Sequence, residues 1–102
     1  MKQGGNSMKR EDIENKLRIE KRFLMDRFYV SKIGLFGSFA RDEQTETSDI
    51  DLLVEFSRPV GFEFLDLKDY LESVFGREVD LVTPNAIKSY MKDEILSEVQ
   101  YQ

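Results

Sequence analysis

The chain has 102 residues, 40% of them hydrophobic, with no cysteine, no histidine and a formal net charge of -5, which leaves room for one domain with a modest core. Without cysteine there are no disulfides or thiolate metal sites, and without histidine the usual zinc ligand and general base are gone, so any catalysis must use carboxylates, hydroxyls, lysine or arginine. The acidic balance argues against non-specific nucleic-acid binding, although a small acidic protein can hold one nucleotide when metal ions neutralise it.

No apolar run approaches the roughly 18 to 20 residues needed to cross a bilayer, and the opening MKQGGNSMKRED is polar rather than signal-like, so a soluble, cytoplasmic protein is expected. Residues 1–10 are expected to be a disordered N-terminus ahead of one domain over 11–102. From Glu11 to Phe28, the recurrence of Ile13, Leu17, Leu24 and Phe28 among charged residues predicts an amphipathic helix. Val30 to Phe36, with β-branched and aromatic residues, predicts a strand, and Phe39 to Asp42 a turn of helix following Gly37-Ser38. Glu43 to Ser48 is a polar loop.

Ile50 to Phe56 alternates with period two, so that Ile50, Leu52, Val54 and Phe56 share one side and Asp49 and Asp51 the other. Phe62 to Phe75, with Phe64, Leu67, Leu71 and Val74 in phase and Gly76 as a stop, predicts a second covering helix. Glu78 to Val82 predicts a third strand with Asp80 and Val82 opposite Val79 and Leu81. Thr83-Pro84 reads as an N-cap and first helical position, and Ile87, Met91, Ile95 and Val99 carry that last helix onward at four-residue intervals. The order gives an α/β fold: a small mixed sheet covered by helices, with the second and third strands parallel through their helical connection.

Side chains two apart on a strand point the same way, about 6.5 to 7 Å apart, and neighbouring strands lie about 4.8 Å away. Asp49, Asp51 and Asp80 are thereby expected on one patch. Carboxylates gathered without cations repel one another and raise each other's pKa, whereas divalent magnesium satisfies them with hard oxygen ligands. Gly37 permits close backbone approach to a phosphate and Ser38 adds a short hydroxyl donor. Taken one at a time, these aspartates read as ordinary solvent-facing strand residues. Their combination with Gly37-Ser38 points to a phosphate grip beside a metal grip.

GSFAR at Gly37 to Arg41, SDIDLLV at Ser48 to Val54 and VDLV at Val79 to Val82 together resemble the minimal nucleotidyltransferase family of the DNA polymerase β-like superfamily, over roughly Glu11 to Gln102. The resemblance implies the polymerase β-like nucleotidyltransferase fold and an enzyme that moves AMP from ATP onto a hydroxyl, releasing pyrophosphate. It implies that Gly37 and Ser38 hold the triphosphate, that Asp49 and Asp51 bind two Mg2+ ions, and that Asp80 holds the second ion and helps activate the attacking hydroxyl. Arg41 matches the arginine of the glycine-serine motif, with phosphate neutralisation or pairing with the acidic loop as its two roles. Asp42 departs from the glycine many relatives carry there and would add negative charge near the phosphate route. Lys88 and Lys92, four apart on the expected last helix, are candidates to offset it, or simply surface lysines.

Small stand-alone members of that family resemble antitoxins paired with HEPN-domain ribonuclease toxins, which some of them adenylylate on tyrosine. The expected partner is therefore a HEPN toxin in a hetero-oligomer, with ATP as substrate and no nucleic acid or membrane contacted directly. Two alternatives stay open: a binding-only antitoxin or regulatory subunit that masks its partner, and a transferase acting on a small-molecule hydroxyl such as that of an aminoglycoside.

Overall fold

The computed structural model describes residues 8–102, so of the disordered N-terminus expected over residues 1–10 the stretch 1–7 lies outside the described residues, whereas Lys9 and Arg10 cap and begin a helix. Helix α1 spans Arg10–Phe28, and Met8 just before it packs against the core. The helix begins where the Lys9 N–H donates to Asp12 Oδ2 at 2.9 Å, with Glu11 and Asp12 in its first turn favoured by the helix dipole. It ends at Tyr29, whose left-handed backbone (φ 61°) lets its N–H close on the Leu24 and Met25 carbonyls.

Strand β1 (Val30–Phe36) runs straight into the short helix α2 (Gly37–Ala40), and a polar loop then leads to β2 (Ile50–Phe56). Helix α3 (Glu63–Phe75) connects β2 to β3 (Val79–Val82), a 3-10 turn follows at Pro84–Ala86, and the chain closes with α4 (Ser89–Glu98) and β4 (Gln100–Tyr101). The four strands form one sheet in the order β3-β2-β1-β4. β1 lies antiparallel to both β2 and β4, while β2 and β3, joined through α3, are parallel. The mixed α/β sheet expected from the element order is the one observed.

Apolar periodicity decides which face each helix covers. Ile13, Leu17, Leu24 and Phe28 of α1 and Leu67, Leu71 and Phe75 of α3 meet Ile33 and Leu35 of β1, Ile50, Leu52 and Val54 of β2, and Val79 and Leu81 of β3 in one buried cluster. Each such side chain taken fully from water contributes about 1.5 to 3 kcal/mol. The opposite face carries a second, smaller cluster, where Phe36, Leu53 and Ile95 are buried with Val82, Ile87 and Val99 packed around them. Leu53 is therefore buried although it lies on the side of β2 that carries Asp51.

The C-terminal quarter differs from the expected single helix. Residues 84–86 make a separate 3-10 turn, Ile87 and Lys88 are extended (ψ 131° and 141°), and α4 begins only at Ser89. The break allows Ile87 to join the small cluster from before the helix, with Ile95 entering from within it. It also removes Lys88 from the helix, so Lys88 and Lys92 do not share a helical face as expected. Val99 is extended (ψ 137°) rather than helical, because the chain turns there to place Gln100 and Tyr101 opposite Leu35 and Gly34 along the edge of β1. Gly34 is where that approach is closest: a Cβ there would come within 2.7 Å of the Gln100 carbonyl oxygen and of Val99 Cγ2. No helix among the described residues is long and apolar enough to cross a membrane.

Candidate active site

The site lies on the thinly covered face, at the end of the sheet where β1 gives way to α2. Register does the assembly: Asp51 stands opposite Phe36 on the antiparallel side and opposite Asp80 on the parallel side. The next residue after Phe36 is Gly37, whose φ of +77° few L side chains tolerate. A Cβ on Gly37 would also overlap Asp51 Oδ2. Glycine is required here twice over, by backbone angle and by the carboxylate pressed against it. Ser38 follows, partly buried, and its carbonyl accepts from the Arg41 and Glu43 N–H groups, while the buried ring of Phe39 anchors α2 in the main core.

Asp51 is half-buried and its pKa is pushed up to about 6, first by burial, then by the charge of Asp80 and of Asp49 and by a side-chain hydrogen bond with Asp80; Arg41 opposes the shift. Asp49 and Asp80 are exposed. Asp49 precedes β2, and the loop that carries it is pinned by Arg77, whose Nη1 donates to the Ser48 carbonyl at 2.8 Å and the Glu46 carbonyl at 3.0 Å. The Ile50 N–H donates to the Glu78 carbonyl at 3.0 Å, which fixes the start of β2 beside β3. Arg77 is a positioning residue that the sequence reading missed; nothing in its local pattern distinguishes it from a surface arginine.

The three aspartates meet unequally. Asp51 and Asp80 are register partners on adjacent strands, and both Asp80 and Asp49 act on Asp51 by charge, but among the described residues no three acidic side chains are set closely enough to enclose an ion unaided. Magnesium does not need such a cage. It is commonly held by one or two carboxylates, with waters and substrate phosphates completing the shell, and two crowded carboxylates raising one another's pKa are a donor set that a divalent cation relieves. The residues present therefore fit a magnesium ion held by Asp51 and Asp80 with Asp49 alongside.

Positive groups stand next to this acidic pair, and they are already engaged. The Gly37 N–H donates to Glu98 Oε2 at 2.6 Å. Arg41 donates from Nη1 to Glu98 Oε1 at 2.8 Å and from Nε to Glu43 Oε1 at 3.0 Å, and these hydrogen bonds, Glu98 before Glu43, hold its pKa above the usual arginine value. Glu98, the last residue of α4, was not singled out in the sequence, where it reads as one acidic residue in a charged helix. Asp42 does not add its charge to the phosphate route as expected. It sits at φ 58° and faces Arg10 of α1, with Oδ2 3.7 Å from Nη1. The left-handed backbone there also gives the reason glycine suits the position.

Comparison with known proteins bears on the family and the fold. Residues 17–102 match the family model described as nucleotidyltransferase domain. The protein adenylyltransferase MntA of Thermococcus cleftensis is 44% identical over 92 residues, covering 89% of this chain and 93% of that protein. A candidate protein adenylyltransferase of Methanocaldococcus jannaschii is 46% identical over 92 residues, covering 88% of this chain and 94% of that protein. Among solved structures, a candidate minimal nucleotidyltransferase superposes with a TM-score of 0.78 at 30% identity over 94% of this chain and 98% of its own. A chain of a toxin-antitoxin crystal structure with AMP-PNP superposes with a TM-score of 0.69 at 26% identity, over 86% of this chain and 70% of its own.

Proposed function

The chain belongs to the nucleotidyltransferase domain family, and from that premise we propose that it is an antitoxin of the protein-adenylyltransferase kind, acting in the cytoplasm on a HEPN-type ribonuclease toxin. The observation that carries this reading is the in-register pairing of Asp51 with Asp80 against Gly37, which sets an acidic pair beside backbone and guanidinium donors suited to phosphate. The relatives named as protein adenylyltransferases and the toxin-antitoxin structure with AMP-PNP support it.

In the proposed reaction a hydroxyl oxygen of the toxin, from tyrosine, bonds to the α-phosphorus of ATP. The bond from that phosphorus to the α,β-bridging oxygen breaks, and pyrophosphate departs with the electron pair. Gly37 N–H, Ser38 Oγ and Arg41 hold the β- and γ-phosphates. Exposed Asp80, beside Asp51, is placed to receive the hydroxyl proton. Magnesium, when held by Asp51, Asp80 and Asp49, supplies neutralisation of the charge spread over the attacking and leaving oxygens. Such chemistry depends on positioning and charge more than on a tuned base, in keeping with a chain that has no histidine.

A masking-only antitoxin is the second reading, favoured by the engagement of both Gly37 N–H and Arg41 by Glu98. The purified toxin, incubated with this protein, ATP and magnesium, separates the two. Transfer adds adenylyl mass to the toxin and silences its ribonuclease activity, and Asp51→Asn abolishes both effects. Neutralisation without a mass change, and undiminished by Asp51→Asn, establishes masking.

A further inference from the structure

We propose that Glu98 is a built-in competitor of the nucleotide's phosphates: its carboxylate occupies the donors that a polyphosphate must use, and nucleotide enters by displacing it. The inference rests on the reading that Gly37 and Arg41 take the triphosphate, and it goes further by identifying what holds them beforehand.

Both oxygens of the carboxylate are committed, one to each end of α2. Oε2 accepts the Gly37 N–H at 2.6 Å and Oε1 accepts Arg41 Nη1 at 2.8 Å. With 18% of its side chain exposed, Glu98 is partly buried in this clasp rather than free in solvent. An N–H directed at a carboxylate oxygen at that distance has no room for a phosphate oxygen in the same place, and a guanidinium fork matches carboxylate and phosphate equally well. Occupancy is therefore exclusive at Gly37 and contested at Arg41.

The main chain beneath Glu98 is fixed independently of this contact. The Val99 N–H donates to the Ile95 carbonyl at 3.0 Å, and Gln100 pairs with Leu35. Displacement accordingly needs only rotation of the Glu98 side chain, while α4 and β4 stay in place. Once out, the carboxylate leaves Arg41 with Glu43 as its remaining partner among the described residues, able to turn toward an incoming phosphate.

The test compares the full-length wild type with Glu98→Gln and Glu98→Ala by calorimetric titration of ATP and, as a base-free probe, inorganic pyrophosphate, both with magnesium. The amide resonance of Gly37 and the melting temperature are followed in parallel. Loss of one charge-assisted clasp is expected to tighten both ligands about ten-fold in each variant. Without ligand, the Gly37 amide should shift upfield in the variants, and ATP added to the wild type should displace the same resonance. ATP affinity that is unchanged or weaker in Glu98→Gln overturns the inference and makes Glu98 a support for Arg41, while leaving the nucleotide reading of the site intact. Absence of ATP binding in wild type and both variants overturns the nucleotide reading itself, and the competitor role with it.

Discussion

The two faces of the sheet are built on different principles. Among the described residues, sixteen buried ones form one apolar cluster under α1 and α3; under α4, three do, and the rest of that face carries Asp51, Asp80 and Glu55 among partly buried apolar groups. The first face can lose no side chain without opening a cavity. The second keeps its carboxylates only because it is not fully covered, since complete burial would make their ionisation prohibitive. Stability and chemistry are thus separated across a single layer of backbone, with Leu52 and Asp51 as adjacent residues serving opposite sides.

The sharpest way to break this contrast is to change one residue on each side. On the carboxylate side, Asp51→Asn is expected to lower adenylyl transfer at least about a thousand-fold, roughly 4 kcal/mol of barrier, with the protein still folded by circular dichroism. A folded, fully active variant removes Asp51 from the chemistry. On the core side, Leu52→Ala should cost about 2 to 5 kcal/mol in urea unfolding, because a fully buried leucine leaves its cavity behind. Ile95→Ala, in the small cluster at 9% exposure, should cost about 2 kcal/mol or less in the same assay. Equal losses at the two positions would mean that α4 carries as much of the fold as α1 and α3.

A finer contrast uses pH. The folded-state pKa of Asp51, about 6, lies above the ordinary 3.8, so its ionisation opposes folding. That penalty is present in full above pH 6 and fades as pH falls toward 4. In metal-free buffer at pH 7.5, Asp51→Asn should therefore be more stable than wild type by about 1 to 2 kcal/mol, solvent screening having been allowed for, and the gap should close by pH 4. A variant less stable than wild type at pH 7.5 would show that the acidic crowding has been overstated. Smallest of all is Asp42→Gly. It relieves the left-handed backbone and gives up only the exposed pair with Arg10, for a net gain of under about 1 kcal/mol by thermal melting.

Much of the fold was legible because local pattern and tertiary role coincide in its first three quarters. Val30–Phe36 and Ile50–Phe56 appear as strands at the bounds expected, and α3 stops at Gly76 in the left-handed conformation that glycine favours. Past Val82 the coincidence ends. Ile87, Met91, Ile95 and Val99 keep helical spacing, yet Ile87 and Val99 are extended and Met91 is 40% exposed. Their spacing could not reveal that the strand edge at Gly34 would draw Gln100 and Tyr101 away from the helix. The site divides in the same way. Gly37, Asp51 and Asp80 announce themselves through spacing along strands that pair in register. Glu98 and Arg77 act over separations of 61 and 29 residues, through side chains whose targets, Gly37 and Ser48, are set only when the chain has folded.

The overlap between a Cβ at Gly37 and the Asp51 carboxylate makes these two positions one shared volume, and that has a bearing on inheritance. While residue 51 is aspartate, any side chain at 37 collides with it. A lineage that first shortens residue 51 to alanine or glycine gains the space and keeps only the milder penalty of a positive φ, on the order of 1 kcal/mol. The order of loss is therefore constrained: the carboxylate goes first and the glycine after it. A descendant with a side chain at 37 beside an aspartate at 51 must have turned that carboxylate out of its present place, whereas one with both replaced need only have ceased to use the site.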